Sequence, residues 1–338
     1  MKKIIVTGGS GFIGSNLILR LFEKHPNLVI MNIDKLTYAS DSSYLKPLRD
    51  SERYYFKKID LVNRDEVKDI VKSFKPDGVI HLAAESHVDN SISGPEPFIL
   101  SNVLGTFNIL EECRLLWKED EKDWKNNRFV HVSTDEVYGA LGDEGLFTEN
   151  TPYAPNSPYS ASKAGSDMII RSYFHTYGMN VVTTNCSNNY GPHQHDEKLI
   201  PTVIRNVMKN NAIPVYGTGA NVRDWLFVHD HCDALETVFL KGKAGETYNI
   251  GGNNEWKNLE LIHKICDILN EEVGKGPEGD YKNLISFVTD RLGHDFRYAI
   301  DASKIKNELG WEPSQDFDGM LRETVLWYIQ KYAGAENL

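Results

Sequence analysis

The sequence predicts an α/β protein, a doubly wound parallel sheet followed by a smaller mixed C-terminal lobe. Three observations predict it. Short apolar runs alternate with amphipathic stretches of helical period over the first half of the chain, the pattern of strand–helix–strand units closing a parallel sheet. The first of these runs ends directly in a glycine-rich turn that opens a helix. Beyond residue 190 the alternation loosens into loop-rich sequence. Residues 1–190 are therefore expected to form the first lobe and 191–338 the second, with some later segments returning to the first.

Lys3 to Thr7 reads as a buried strand, followed at once by Gly8-Gly-Ser-Gly11-Phe12-Ile13-Gly14 and a helix through Glu23 with Ile13, Leu17, Leu21 and Phe22 as its apolar face. Glycines at this spacing let backbone N–H groups approach a pyrophosphate at a helix N-terminus, where the dipole favours negative charge. Taken alone, such a turn is as easily an ordinary loop. The next strand, Leu28 to Asp34, ends in an acid 20 residues after Gly14. That carboxylate suits the adenosine ribose hydroxyls and repels a 2′-phosphate, which favours NAD over NADP and makes the sheet one of Rossmann type. Tyr54 to Ile59 is a third strand, ending at Asp60-Leu61, a place for adenine contacts. Val67 to Phe74 is an amphipathic helix, and Gly78 to Ala84 a fourth strand whose small Ala83 and Ala84 let the cofactor pass close.

Pro97 can open a long helix through Trp117, followed by the charged run Lys118 to Asp123, read as a solvated loop. The apolar run Phe129 to Val132 stops abruptly in Ser133, Thr134, Asp135 and Glu136, so a buried strand delivers hydroxyls and two carboxyls at its carboxyl end, where open parallel sheets bind ligands. Strand neighbours face opposite ways. Asp135 and Glu136 can reach one ligand only if the strand has already become a turn, which Gly139 and the polar run favour. Pro158-Tyr159-Ser-Ala-Ser-Lys163 then opens a helix to about Tyr177, and Val181 to Asn185 is another strand.

The totals narrow the function. A chain of 338 residues with 41% hydrophobic and 25% charged residues has ordinary globular composition and room for a sizeable core. A formal charge of −11 argues against nucleic acid, which needs a basic stripe. Any cations for an anionic ligand must be local. Cys113, Cys186, Cys232 and Cys266 lie far apart, so neither a disulfide framework nor a zinc site is indicated, and a reducing cytoplasm fits. The apolar stretch before Gly8 is too short for a signal-peptide core, and no run is long enough to span a membrane. His193-x-His195 and His229-x-His231 lack a third ligand at suitable spacing, so no metal is expected.

Tyr159 and Lys163, four apart, share one helical face. A phenol is a poor base at its ordinary pKa of about 10, but a nearby ammonium and a positively charged nicotinamide both favour the phenolate. Tyr159 can then take a proton from a substrate hydroxyl, held by Thr134, while hydride leaves the same carbon for NAD. By itself Y-x-x-x-K is more often a surface pair. Behind a dinucleotide turn it gains weight.

TGGSGFIG and Tyr159-x-x-x-Lys163 resemble the extended short-chain dehydrogenase/reductase family. The finer set STDEVYG, PYSASKA, TNCSNNYGP, EKLIP, RDWLFV and DRLGHDFRYAID resembles its dTDP-glucose 4,6-dehydratase branch, from residue 3 to about 312. Leu292 departs from a more usual proline, and His193-Gln-His195-Asp lies in a segment the family varies. The resemblance implies an NAD-dependent lyase. Oxidation at C4 of the sugar acidifies the C5 hydrogen, Glu136 removes it, Asp135 protonates the departing C6 hydroxyl, and hydride returns to C6. Asp135 then needs a raised pKa, which crowding by Glu136 away from water would supply.

Arg223 and Arg291 are candidates to pair with the substrate's diphosphate. By the same matching Ser86, Asn188, Lys198, Leu199, Pro214, Val215, Tyr216, Asn258 and His294 fall at substrate positions, with Tyr216 able to stack on thymine. Lys35, Thr37, Leu82, Ser86 and Asn189 fall near the cofactor. The resemblance also implies a homodimer through helices at about 97–117 and 157–177. A dehydratase of another nucleotide sugar such as a UDP type, a nucleotide-sugar 4-epimerase, and a non-catalytic NAD-binding regulator remain as alternatives. The Asp–Glu couple separates the first from the last two, since neither needs it.

Overall fold

A computed structural model describes residues 2–119, 126–290 and 294–335. Most of the charged run at 118–123 lies outside the described residues, as do Arg291 and Leu292. Strands β1 (Lys3–Thr7), β2 (Val29–Asp34), β3 (Tyr54–Lys58), β4 (Gly78–His81), β5 (Arg128–Thr134) and β6 (Val181–Cys186) pair in the order β6–β5–β4–β1–β2–β3, every pair parallel. Thr247–Ile250 adds a seventh parallel strand on the β6 side. The order reverses between β1 and β4, which opens a crevice beyond the carboxyl ends of those strands.

These strands are apolar on both faces because helices cover both. Ile4, Val6, Ile30, Ile80 and Val130 join one core; Ile5, Met31, Val79, Phe129 and Val181 join the other. The helix Val228–Lys241, although late in the chain, contributes Cys232, Leu235, Val238 and Phe239 to the first of these cores. A third core, built around Tyr190, Ile204, Ile265, Leu321 and Tyr328, gathers the helices Leu199–Met208, Asn258–Glu272 and Phe317–Ala335. Among the described residues no helix is long and apolar enough to cross a membrane.

Three local departures from the sequence expectation shape the crevice. β4 stops at His81 rather than Ala84: Leu82 N–H still reaches the Thr7 carbonyl (3.2 Å), but Ala83 N–H takes the Thr7 hydroxyl instead (3.2 Å), so the chain peels away. The helix expected over 97–117 widens into π-type turns over Ile99–Gly105 before continuing as Thr106–Glu119. There the Asn102 side chain clamps Glu85, accepting its N–H (2.8 Å) and donating to its carbonyl (3.0 Å). β5 runs on through Thr134, and the turn expected after it is a short 3₁₀ segment, Asp135–Tyr138, capped by the Thr134 hydroxyl.

Candidate active site

A cleft of about 320 Å³ runs across the carboxyl ends of β1, β2, β4, β5 and β6. At one end lie Asp34, Lys35, Thr37, Asp60 and Leu61; Gly8, Gly11, Phe12, Ile13 and Gly14 form its floor, with Leu82, Ala83, Ala84 and Ser86 opposite. Gly8 has φ +68°, and a Cβ there would lie 2.8 Å from Ala83 N. A Cβ on Gly14 would lie 2.2 Å from the Gly8 carbonyl oxygen. The turn and the helix Phe12–Lys24 can therefore meet only as glycines, leaving bare backbone toward the cleft. Asp34, almost fully buried, accepts from Ser10 N–H (3.0 Å), Leu36 N–H (2.8 Å) and the Ser40 hydroxyl (3.1 Å). Lys35 pairs with Glu85 and the Ser101 hydroxyl, each at 2.7 Å. A glycine cradle at a helix N-terminus with a carboxylate at the end of the next strand fits a dinucleotide lacking a 2′-phosphate.

At the other end Thr134, Glu136, Tyr159 and Lys163 line the cleft with Ser133, Cys186, Ser187, Asn188 and Asn189. The helix Pro158–Tyr177 is fixed at both ends by its sequence. Ser157 and Ser160 form a capping box, Pro158 fills the first turn, and Gly178 closes it at φ +68°. Tyr159 and Lys163 are both buried on the face turned to β5. The Thr134 hydroxyl hydrogen-bonds the Tyr159 phenol and lies 3.3 Å from Asp135 Oδ1. Asp135 is 2% exposed, and its Oδ2 has no hydrogen-bond partner among the described residues. Burial, then the Glu136 and Asp224 carboxylates, push its pKa well above the usual carboxylate range, against an opposing pull from Arg223. Glu136 faces the cleft; Asp135 sits behind it, beside Thr134.

A scan against family descriptions matches residues 5–324 to GDP-mannose 4,6 dehydratase. The dTDP-glucose 4,6-dehydratase of Neisseria meningitidis serogroup B is 49% identical, covering 100% of this chain and 96% of that protein. The chain belongs to the dTDP-glucose 4,6-dehydratase family. dTDP-glucose 4,6-dehydratase 1 of Escherichia coli K12 is 50% identical over 99% of this chain and 95% of its own. The crystal structure of the Bacillus anthracis dTDP-glucose 4,6-dehydratase in complex with NAD superposes with a TM-score of 0.85 at 44% identity, covering 98% of each chain.

Lys163 does not by itself make Tyr159 a phenolate: its ammonium donates to the Val132 carbonyl (2.8 Å), while burial and the Glu136 charge push the phenol's pKa well above 10. Arg223, a candidate for the diphosphate, is not among the cleft-lining residues. It is buried behind Asp135 and Glu136, donating to the carbonyls of Val222 (2.7 Å), Asp295 (2.9 Å) and Phe296 (3.2 Å) and lying over the Tyr298 ring. Lys198 does line the cleft, 3.2 Å from the Ser86 carbonyl, and Leu199 begins the following helix. Pro214, Val215, Tyr216, Asn258 and His294 are not among the cleft-lining residues. They gather around the turn after Tyr216: Gly217 abuts Asp290, which holds His294 at 2.6 Å, and Asn258 N–H reaches the Asn221 carbonyl (3.0 Å).

The dehydratase fold also places residues that sequence reasoning missed. Gln194, His195 and Glu197 line the cleft, and His193 stacks on Tyr44 at 3.8 Å while bonding Ser15 (2.9 Å). Asp224, buried near Asp135, accepts from Gly252 N–H (2.8 Å) and Asn254 N–H (2.7 Å). The RDW stretch carried that signal only as an acid beside an arginine at the head of an apolar run.

Proposed function

We propose that this chain converts dTDP-glucose to dTDP-4-keto-6-deoxyglucose, a hydro-lyase reaction, with the side chains of the β5 end in the following roles. NAD, when bound along the cleft, supplies the reversible oxidation at C4 and its return at C6. Thr134 and Tyr159 hold the C4 hydroxyl, and Tyr159 accepts its proton. The C4 carbonyl so formed acidifies the C5 hydrogen, because the resulting carbanion delocalises into it. Glu136, at the cleft wall, takes that proton; Asp135 delivers its own to the departing C6 oxygen. The observation that carries this reading is the divergent environment of the two neighbouring carboxyls: one faces the cleft, and the other is buried beside the Thr134 hydroxyl with every local influence but Arg223 and Thr134 favouring its protonated form.

The glycine cradle, Asp34, Lys35, Thr37, Asp60, Leu61, Leu82 to Ala84, Ser86 and Asn189 would hold the cofactor. Asn188, Lys198 and Leu199, with the group around Tyr216, Asn258 and His294, would hold the nucleotide sugar, and Arg223 and Arg291 would pair with its diphosphate. Residues 1–190 would form the NAD lobe, completed by Val228–Lys241 and Thr247–Ile250, and the remainder the nucleotide-sugar lobe. A homodimer would pair through the helices at 96–119 and 158–177, where Ile99, Leu100, Leu104 and Met168 are exposed apolar side chains without cover in a monomer. A cytoplasmic setting suits four free, buried cysteines. Incubation with dTDP-glucose should give a product with the alkaline absorbance of a keto sugar, and a UDP-hexose should not. Turnover of the UDP sugar alone would overturn the assignment of the base.

A further inference from the structure

Lys163 is buried and donates to a neutral carbonyl, so something must hold its charge inside the protein. One helical turn further along Pro158–Tyr177, on the same face, stands Asp167, 3% exposed. Its carboxylate accepts three hydrogen bonds, from His131 Nε2 (2.9 Å), the Ser133 hydroxyl (2.8 Å) and the Tyr153 hydroxyl (3.0 Å). The donors come from β5 and from the loop after it, and none is a cation at neutral pH. Burial and Lys163 hold the His131 imidazole's pKa below its usual value, and burial pushes the Tyr153 phenol up. They solvate the carboxylate without cancelling it, a charge left for Lys163 to balance.

The groups around the ammonium come from every packed element. Its own helix brings Tyr159 and Asp167. β4 brings His81 and β5 brings His131, both neutral; β6 brings Cys186, whose thiol burial pushes up to about 12. The turn after β5 brings Asp135 and Glu136. On the outer side of the same helix, Val88–Ser93 and Glu96–Glu119 bring Asp89, Glu96, and an Arg114–Glu111 pair (2.6 Å) that lies toward the helix's far end, against Tyr173 and Tyr177. Burial lowers the Lys163 pKa, and among the opposing influences Asp167 is the largest.

We propose that Asp167 is a positioning residue for the first proton transfer: its carboxylate is the buried counter-charge that keeps the Lys163 ammonium charged behind Tyr159. This rests on the Tyr159–Lys163 role given above and adds what sustains it. When Lys163 loses its charge the phenolate loses its nearest cation, so Tyr159 becomes harder to deprotonate and the acid limb of the pH–rate profile moves to higher pH.

The test is the pH dependence of kcat/KM for dTDP-glucose in the NAD-loaded enzyme carrying Asp167→Asn. The acid limb should rise by about one pH unit, a roughly tenfold loss below it, with the rate at high pH largely kept. Ultraviolet difference titration of tyrosinate, with Tyr159→Phe as the blank, should show the same shift without turnover. Tyr153→Phe removes one donor to the carboxylate but no charge and should leave the limb in place. Should Asp167→Asn fail to fold, the pair can be removed together: Lys163→Met/Asp167→Asn should match the profile of Lys163→Met alone. A loss of rate spread evenly over pH, an equal shift in Tyr153→Phe, or a further shift in the double variant would overturn the proposal. A shifted limb in Lys163→Met with none in Asp167→Asn sinks this inference only, whereas no effect of Lys163→Met sinks the reading beneath it.

Discussion

Asp135→Asn should make this protein more stable and nearly inactive at once. The carboxyl is 2% exposed, one oxygen lacks a partner among the described residues, and burial with two neighbouring acids holds its pKa well above the unfolded value of about 3.9. The folded chain therefore keeps a proton that the unfolded chain releases. The stabilisation this gives is complete below about pH 4 and is lost as pH rises through the folded pKa, at about 1.4 kcal/mol per pH unit over that window. Asparagine has the same shape and cannot ionise. The variant should match the parent in denaturant titrations near pH 4 and exceed it near pH 8, with the gap widening as pH rises between the two. Product formation should fall by about 10²–10⁴-fold, the usual contribution of a positioned proton donor. Equal stability differences at the two pH values would refute the buried, protonated carboxyl, and activity within about tenfold of the parent would refute its role.

Gly14→Ala should cost about 1–3 kcal/mol of stability and weaken NAD binding by titration calorimetry, because the new Cβ would meet two backbone atoms of the Gly8-Gly9 turn at 2.2 and 2.7 Å; unchanged affinity would contradict the cradle. His81, His131 and His231 are buried with pKa values below the ordinary histidine range, to about 3 for His231, burial being the main cause in each. The unfolded chain takes up protons below about pH 6.5 that these groups refuse, so stability present above that pH should fall by about 1.4 kcal/mol per unit for each as pH drops. Urea midpoints that stay level from about pH 7.5 to 5.5 would count against it. Tyr159→Phe should retain NAD but lose about 10²–10⁴-fold in appearance of reduced cofactor on adding dTDP-glucose, and reduction at the parental rate would remove Tyr159 from that step.

Elements governed by local pattern were legible in the sequence. Apolar runs bounded by glycine turns located β1 to β6 to within a few residues, and Pro158 marked the start of the helix that carries Tyr159 and Lys163, which runs to Tyr177 as expected. The Thr134–Glu136 end of β5 was legible because an apolar run gives way there to hydroxyls and acids. What escaped was set by partners distant in sequence. The π-type turns at Ile99–Gly105 form where Asn102 holds the backbone of Glu85, a bond no helical period reveals. Thr247–Ile250 reads like any short strand, and only pairing with β6 assigns it to the first sheet. Arg223 was legible as a candidate cation for the diphosphate, but not its burial against three carbonyls, which depends on the segment around Asp295 and Phe296 folding back over it. Asp167 was passed over for the same reason: its three donors lie in other elements.

The central claim is that two adjacent carboxyls expel water from a sugar already oxidised at its neighbouring carbon. Single-turnover chemical quench of Asp135→Asn/Glu136→Gln, loaded with NAD and mixed with dTDP-glucose, tests it most directly. Reduced cofactor and the 4-keto-glucose nucleotide should accumulate together while the 6-deoxy product lags by orders of magnitude. Formation of the 6-deoxy product at the parental rate would contradict the account.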